Sequence, residues 1–116
     1  RLAEQGDIPG ATAAYQEVVA ARPEWSEGYA YLGGMQLMGQ QYSAAVQSFQ
    51  EAIRLGSESR KAFIGMGMAY IHMGQFGPAR AAFNEASARE GSSQDIDRIL
   101  VWLDNKQAAS RGTHHP

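Results

Sequence analysis

Few side chains in this chain have the chemistry of a catalyst or a metal ligand, and their spacing argues against both roles. His72 is the one histidine inside the segment that we expect to fold, and no pattern of nucleophile and acid surrounds it. His114 and His115 are adjacent near the end of the chain, where two ligands on a mobile tail rarely make a metal site. The absence of cysteine excludes disulfides and thiolate ligands. We therefore predict no enzyme activity and no cofactor, and for His72 a polar contact at the surface or in a groove.

Glycine pairs are the second feature that has a chemical interpretation. Gly33 and Gly34, like Gly65 and Gly67, superficially resemble phosphate-binding loops, but no strand precedes them and no lysine follows at the required place. They stand instead within apolar patterns of helical period, where glycine costs about 1 kcal/mol relative to alanine. We predict that they are packing glycines, which allow the close approach of a neighbouring backbone.

Composition limits the partners and the compartments that the chain can have. The 116 residues include 10 Lys and Arg against 12 Asp and Glu, and these charges are scattered, which argues against nucleic acid and anionic membrane surfaces as partners. No apolar run approaches the roughly 20 residues that a membrane span needs. Because the chain begins at Arg1, we expect a processed product or an excised piece. The compartment is left open by the sequence: either side of a membrane fits, cytoplasmic, or periplasmic or extracellular if a signal peptide was removed before Arg1.

A pattern of apolar and small residues recurs along the chain at a spacing of 34 residues. Leu32 and Gly33 recur as Met66 and Gly67. A second set recurs in register three times: Ile8, Ala11, Tyr15 and Val18, then Tyr42, Ala45, Phe49 and Ala52, then Phe76, Ala79, Phe83 and Ala86. Such self-similarity marks a solenoid, and spacings of three to four residues place each set on one helix face. Each unit is thus predicted to be a helical hairpin in which aromatic rings insert beside small residues.

At these residues the chain resembles the tetratricopeptide repeat family, whose pattern is an aromatic, Leu-Gly, a Tyr, a Gly-containing turn, then Ala, aromatic, Ala and Pro. Residues 60–93 fit this pattern best. Residues 26–59 depart from it, because Gln36 replaces the tyrosine, Gly39 falls one place early, and Ser57 replaces the closing proline. The resemblance implies an all-α fold, a right-handed α-solenoid of helix-turn-helix repeats.

The predicted organisation places two full repeats between two incomplete ends. Residues 1–25 form a partial first repeat, mainly its second helix; residues 26–59 and 60–93 are full repeats; residues 94–109 form a C-terminal capping helix; and residues 110–116 are a flexible tail. Ser92 and Ser93 supply a capping signal for the last helix. Ile96, Ile99, Leu100 and Leu103 then recur at helical spacing.

The resemblance also implies where a partner binds, because the first helices of stacked hairpins line the concave side. The implied ligand-facing residues are Glu27, Ala30, Gly34, Leu37 and Met38, then Lys61, Ile64, Met68, Ile71 and His72, and on the capping helix Asp95, Arg98, Trp102 and Asn105. This lining is mostly apolar, unlike the Lys/Asn/Arg clamp with which chaperone-binding relatives grip a terminal carboxylate. We therefore predict a scaffold that binds an apolar or amphipathic peptide or helix. Trp102 either anchors this ligand or, as we favour, covers the cap.

The start of the chain suggests an alternative function. Leu2 to Gln5 suffice for only the last turn of a first helix, so a flank formed by Leu2, Ile8, Ala11, Tyr15 and Val18 lacks most of its partner. This flank either tolerates solvent or contacts the upstream chain, another copy or a different protein. If copies stack end to end through it, the protein is a self-assembling structural subunit of an oligomer or filament.

Overall fold

The computed structural model describes residues 7–56, 60–90 and 93–112, and every regular element within these ranges is an α-helix. The helices are α1 (Ile8–Ala21), α2 (Ser26–Met38), α3 (Tyr42–Arg54), α4 (Arg60–His72), α5 (Phe76–Glu90) and α6 (Gln94–Gly112). Each helix packs against the next one along the chain, and α2 also approaches α4. The molecule measures 53 × 27 × 22 Å. This elongated stack of helical hairpins is the all-α solenoid that the repeat predicts.

Local capping interactions fix where the outer helices begin. The Asp7 side chain accepts a hydrogen bond from the backbone N–H of Gly10 at 3.1 Å, and Pro9 lies in the first turn of α1, where its missing N–H costs nothing. The Ser93 hydroxyl accepts a hydrogen bond from the N–H of Ile96 at 3.2 Å at the start of α6. The capping role predicted for Ser93 is therefore confirmed, and Ser92 lies outside the described residues.

The two hairpin turns have the same geometry although their sequences differ. After α4, Gly74 has φ of 74°, and the N–H of Gln75 donates to the carbonyl of Tyr70 at 2.9 Å. After α2, it is Gln40 that has φ of 65°, and the N–H of Gln41 donates to the carbonyl of Gln36 at 2.8 Å. These bonds satisfy carbonyls that the helix end leaves free. The early glycine, Gly39, therefore does not shift the turn, because Gln40 adopts the left-handed conformation instead.

Ring insertion beside glycine determines how the central helices pack. A Cβ added at Gly33 of α2 would lie 3.0 Å from the Phe49 ring, and one added at Gly65 of α4 would lie 2.4 Å from the same ring. Phe49 thus occupies space on both α2 and α4 that only glycine leaves open. Gly67 does the same for Phe83, at 2.6 Å. The predicted insertion of aromatic rings beside small residues is confirmed at these glycines, where the nearest neighbour is a ring and not the backbone that was also expected.

The last helix closes the stack on α5. Ile96 and Leu103 are buried against Phe83, and Arg80 pairs with Asp104 at 2.8 Å between Nη1 and Oδ1. The helix continues to Gly112 rather than ending at Ala109, since no residue that breaks a helix stands between these positions. Residues 110–112, which were predicted to belong to a flexible tail, are therefore helical, and residues 113–116 lie outside the described ranges. Among the helices of the described residues, none combines the length and the apolar character that crossing a membrane requires.

Candidate functional site

The residues predicted to face a ligand on α2 and α4 are neither buried nor mainly polar. Ala30, Gly34 and Leu37 on α2 are half-buried, while Glu27 and Met38 are exposed. On α4, Ile64, Met68 and Ile71 are half-buried, and Lys61 and His72 are exposed. Because α2 approaches α4, we treat these ten residues as one surface and call it the groove.

The apolar groove residues are held by the core beneath them. Leu37 packs against the cluster that contains Ala45 and Phe49. Ile64, Met68 and Ile71 pack against the cluster that contains Phe63 and Phe83. Each side chain thus has one side in the core and one side accessible to solvent. Because the core already orders these side chains, covering them with a ligand costs little additional side-chain conformational entropy.

Gly34 differs from the other helical glycines of the central hairpins. A Cβ added at Gly34 would meet nothing within 4 Å, so no ring and no backbone packs there. The prediction that Gly34 is a packing glycine was therefore wrong, whereas Gly33, Gly65 and Gly67 do pack closely, against phenylalanine rings. The space beside Gly34 on α2 is open.

His72 and Met38 occupy corresponding positions at the carboxyl ends of α4 and α2. The His72 ring stacks on Tyr42 of α3, with the ring centroids 4.6 Å apart and the planes 2° from parallel. The contact expected for His72 was polar, and the contact found is aromatic stacking at an exposed position. Met38 is 60% exposed, which leaves a flexible apolar side chain at this edge of the groove.

The capping helix contributes an aromatic residue that is already in contact with its own fold. Trp102 is 39% exposed, and its ring lies edge-on to Phe76 with the centroids 5.7 Å apart. The Lys106 ammonium lies over the same ring at 5.4 Å. These contacts favour the covering role of Trp102. Asp95, Arg98 and Asn105 are exposed on the same helix.

The flank predicted at the start of the chain is partly covered by α2. Ile8 approaches Gly39, where an added Cβ would lie 3.2 Å from its Cγ2 atom. The Tyr15 ring lies 5.6 Å from that of Tyr31. Ala11 and Val18 are half-buried, and Leu2 lies outside the described residues.

An aromatic cluster beside this flank was not anticipated from the sequence. Tyr31 is 51% exposed and contacts Trp25 at 6.2 Å as well as Tyr15, and the Arg22 guanidinium lies 5.1 Å over the Trp25 ring. The 34-residue repeat could have indicated this cluster, because Tyr31 stands 34 residues before Gly65 and so has a ring where the next repeat has a glycine. Gly65 makes room for the Phe49 ring, whereas Tyr31 contacts the ring of Tyr15, the counterpart of Phe49 on α1.

The ion pair that shifts the pKa values of its two side chains lies on α3, away from the groove. Arg54 donates to Glu51 on α3, with Nε and Oε1 3.0 Å apart. This hydrogen bond, with a smaller Coulombic contribution, holds the pKa of Glu51 below its ordinary value and raises the pKa of Arg54. In the part of the chain that the structure describes, no three histidine or carboxylate side chains are grouped to hold a metal ion.

These features define a class of protein, a helical solenoid with hairpin repeats and an apolar surface on its first helices. The family model for the tetratricopeptide repeat matches residues 1–60. The chain belongs to the tetratricopeptide repeat family.

Several solved structures have the same fold as this chain. The second repeat domain of human RPAP3, solved with an HSP70 peptide, has a TM-score of 0.80 at 23% identity and covers 87% of this chain and 84% of that one. The TPR2B domain of yeast Sti1, solved in a pHsp70 complex, has a TM-score of 0.82 at 20% identity, covering 89% and 87%. MamA gives a TM-score of 0.84 at 20% identity, covering 90% and 57%. At these identities the likeness concerns the fold.

Superkiller protein 3 of Schizosaccharomyces pombe is 36% identical to this chain over 73 residues. The matched region is 63% of this chain and 5% of that protein. The chain thus corresponds to a small part of this much longer relative.

Proposed function

We propose that this protein is an interaction scaffold without catalytic activity, and that its groove binds the apolar face of an amphipathic helix or an extended apolar peptide. Solved relatives of the same fold bind peptides of HSP70, which supports a peptide as the type of ligand. The observation that carries the proposal is the half-exposed apolar lining formed by Leu37, Ile64, Met68 and Ile71. Apolar side chains fixed at one edge by a core provide anchor positions for a helix in a groove.

The lining favours one of two kinds of peptide. Recognition of a carboxylate needs cationic or amide side chains along the groove wall, and the central residues Ala30, Gly34, Ile64 and Met68 offer no such group, whereas Lys61 lies at one end of the groove. A charged ligand end placed over these residues would lose its hydration without a hydrogen-bonding partner. The proposed ligand is therefore apolar along its central part.

Charge substitution in the groove tests this proposal. Ile64→Glu and Met68→Glu place a carboxylate where the partner's apolar face would lie, and we expect each to weaken binding by at least about tenfold. Gln47→Glu adds the same charge at an exposed position of α3 and serves as the control. Binding is measured by calorimetry with peptides selected from a displayed library, and folding by circular dichroism. Folded glutamate variants that bind with unchanged affinity would contradict the proposal.

A self-assembling subunit is the second candidate, and one observation favours it. Ala45, Phe49 and Ala52 of α3 are buried by a first helix, whereas their counterparts Ala11, Tyr15 and Val18 on α1 are only half-buried. The face of α1 thus has apolar surface that a further helix can cover.

Mass as a function of concentration tests this second candidate. If copies stack through the face of α1, sedimentation shows a mass that rises with concentration, and Tyr15→Lys returns the protein to a monomer because a buried lysine would be unpaired. Glu17→Lys on the exposed side of α1 is the matched control. A mass equal to one chain at all concentrations excludes self-assembly.

A further inference from the structure

One face of α1 is an apolar seam that has a charged residue at each end. The seam consists of Ile8, Ala11, Tyr15 and Val18, which recur at spacings of three and four residues and are half-buried. Asp7 stands directly before α1, and Arg22 stands directly after it. Among the helices of the described residues, α1 packs on α2 alone, so a further helix can reach the seam.

The two charged residues have opposite signs, and both are able to bind a partner of the other sign. The Arg22 guanidinium lies over the Trp25 ring, and a guanidinium held by its face keeps the N–H groups of its edge for a carboxylate. Asp7 accepts a hydrogen bond from the backbone N–H of Gly10, and a carboxylate can accept more than one. The length of α1 places the two residues about 22 Å apart, so they cannot pair with each other.

We propose that the seam of α1 binds the same seam of a second copy, with the two α1 helices antiparallel, and that the product is a closed dimer. This inference rests on self-assembly, the second candidate function, and identifies the surface that α1 meets. A two-fold axis between residues 14 and 15 places Asp7 beside Arg22 of the second copy, and by symmetry Arg22 beside that copy's Asp7. Two pairs of opposite charge around an uncharged apolar centre make the surface complementary to itself.

The other end of the molecule does not complement the seam, which argues against open stacking. An end-to-end contact would place the seam of one copy on α6 of the next, as Phe49 lies on α2 within the chain. Gly33 admits the Phe49 ring, but Val101 stands at the corresponding position of α6 and is 59% exposed. Asp97 and Asp104 stand one helical turn on either side of Val101. A ring inserted there would meet a branched side chain between two carboxylates.

The absence of cysteine from the chain allows a test by disulfide trapping. Ala14 is exposed and lies one helical turn from Ala11 and from Val18, so Ala14→Cys places a thiol beside the proposed two-fold axis. Ala13→Cys is the matched control, because Ala13 is also exposed on α1 but lies on the side away from the seam. Mild oxidation should link two copies of Ala14→Cys at least about tenfold faster than two copies of Ala13→Cys.

A second test uses the charged ends of the seam. Arg22→Asp brings two aspartates together at each end and Asp7→Arg brings two arginines together, so each variant alone should dimerise at least about tenfold more weakly. An equimolar mixture restores both pairs of opposite charge and should recover the dimer, which a contact between α1 and α6 would not do. Sedimentation measures the mass, and circular dichroism checks the helix content because Asp7 also caps α1.

The outcomes separate this inference from self-assembly in general. A mass that rises with concentration and stops at two chains is expected. A mass that continues beyond two chains, or Ala14→Cys that links no faster than Ala13→Cys, overturns the closed dimer. Folded charge variants that do not recover the dimer on mixing overturn the antiparallel pairing. A mass of one chain at every concentration overturns self-assembly itself.

Discussion

Gln40 has the left-handed backbone conformation that Gly74 has in the equivalent turn. Its φ of 65° matches the 74° of Gly74, and the same pair of hydrogen bonds closes both helices. A residue with a Cβ is strained in this region, because its Cβ approaches the following carbonyl oxygen. The hydrogen bonds to the carbonyls of α2 and the packing of α2 on α3 offset this backbone strain.

Replacing Gln40 by glycine is therefore expected to stabilise the protein. Gln40→Gly removes the Cβ contact and should raise the free energy of unfolding by about 1 kcal/mol, measured as a shift of the urea midpoint. Gly74→Ala introduces the same strain and should lower it by a similar amount. A lower midpoint for Gln40→Gly would show that the glutamine side chain contributes more than its backbone costs.

At the scale of elements, α2 and α3 are joined by a polar contact inside an apolar interface. The Ser48 hydroxyl donates to Oε1 of Gln36 at 2.6 Å, and both residues are buried. Gln36 stands where the family pattern has a tyrosine. The hydrogen bond therefore fixes one alignment of the two helices at the position where the repeat lacks its usual ring.

Removing one partner of the hydrogen bond between Ser48 and Gln36 should lower the free energy of unfolding more than removing both. Ser48→Ala leaves a buried Gln36 oxygen without a donor and is expected to lower the free energy of unfolding by about 1–3 kcal/mol. The double variant Ser48→Ala with Gln36→Leu replaces both polar groups by apolar ones and should recover most of this loss. The double-mutant cycle is measured by urea denaturation, and strictly additive effects would contradict a specific contact.

The elements show which parts of the structure a sequence can predict. The second helices follow from the spacing of Ala45, Phe49 and Ala52, because a helical period with an invariant pattern of sizes permits one arrangement. The insertion of a ring beside Gly33 was predicted, but nothing in the pattern indicated that the Phe49 ring also occupies space at Gly65. The open space at Gly34 was not predicted, since a glycine in a sequence does not show whether a neighbour fills its position.

The sequence predicts which residues belong to the candidate site, but not how they contact residues of neighbouring repeats. The register of the repeat places Ile64 and Met68 on one helix face, and their partial exposure agrees with an apolar lining. The stacking of His72 on Tyr42 joins two repeats, and the edge-on contact of Trp102 with Phe76 joins the capping helix to the second full repeat. Such contacts depend on the angle between hairpins, which a pattern within one hairpin does not contain.

At the scale of the whole molecule, stability follows from the neighbours that each helix has. Among the helices of the described residues, α2 to α5 each pack against elements on two sides, whereas α1 packs on α2 alone and α6 on α5 alone. In a repeat protein the free energy is close to a sum of contributions from repeats and from neighbouring interfaces. Local unfolding of either outer helix therefore breaks less interface than local unfolding of an inner helix.

Hydrogen exchange should consequently reveal a gradient along the chain. We expect amide protection to be highest in α3 and α4 and lowest in α1 and α6, because opening an outer helix breaks one interface while opening an inner helix breaks two. Leu103→Ala, which removes a fully buried contact of α6, should lower protection in α6 and α5 and leave α1 unchanged. Equal protection in all helices, with an equal decrease on Leu103→Ala, would mean that the molecule opens only as one cooperative unit and that the neighbour model does not apply.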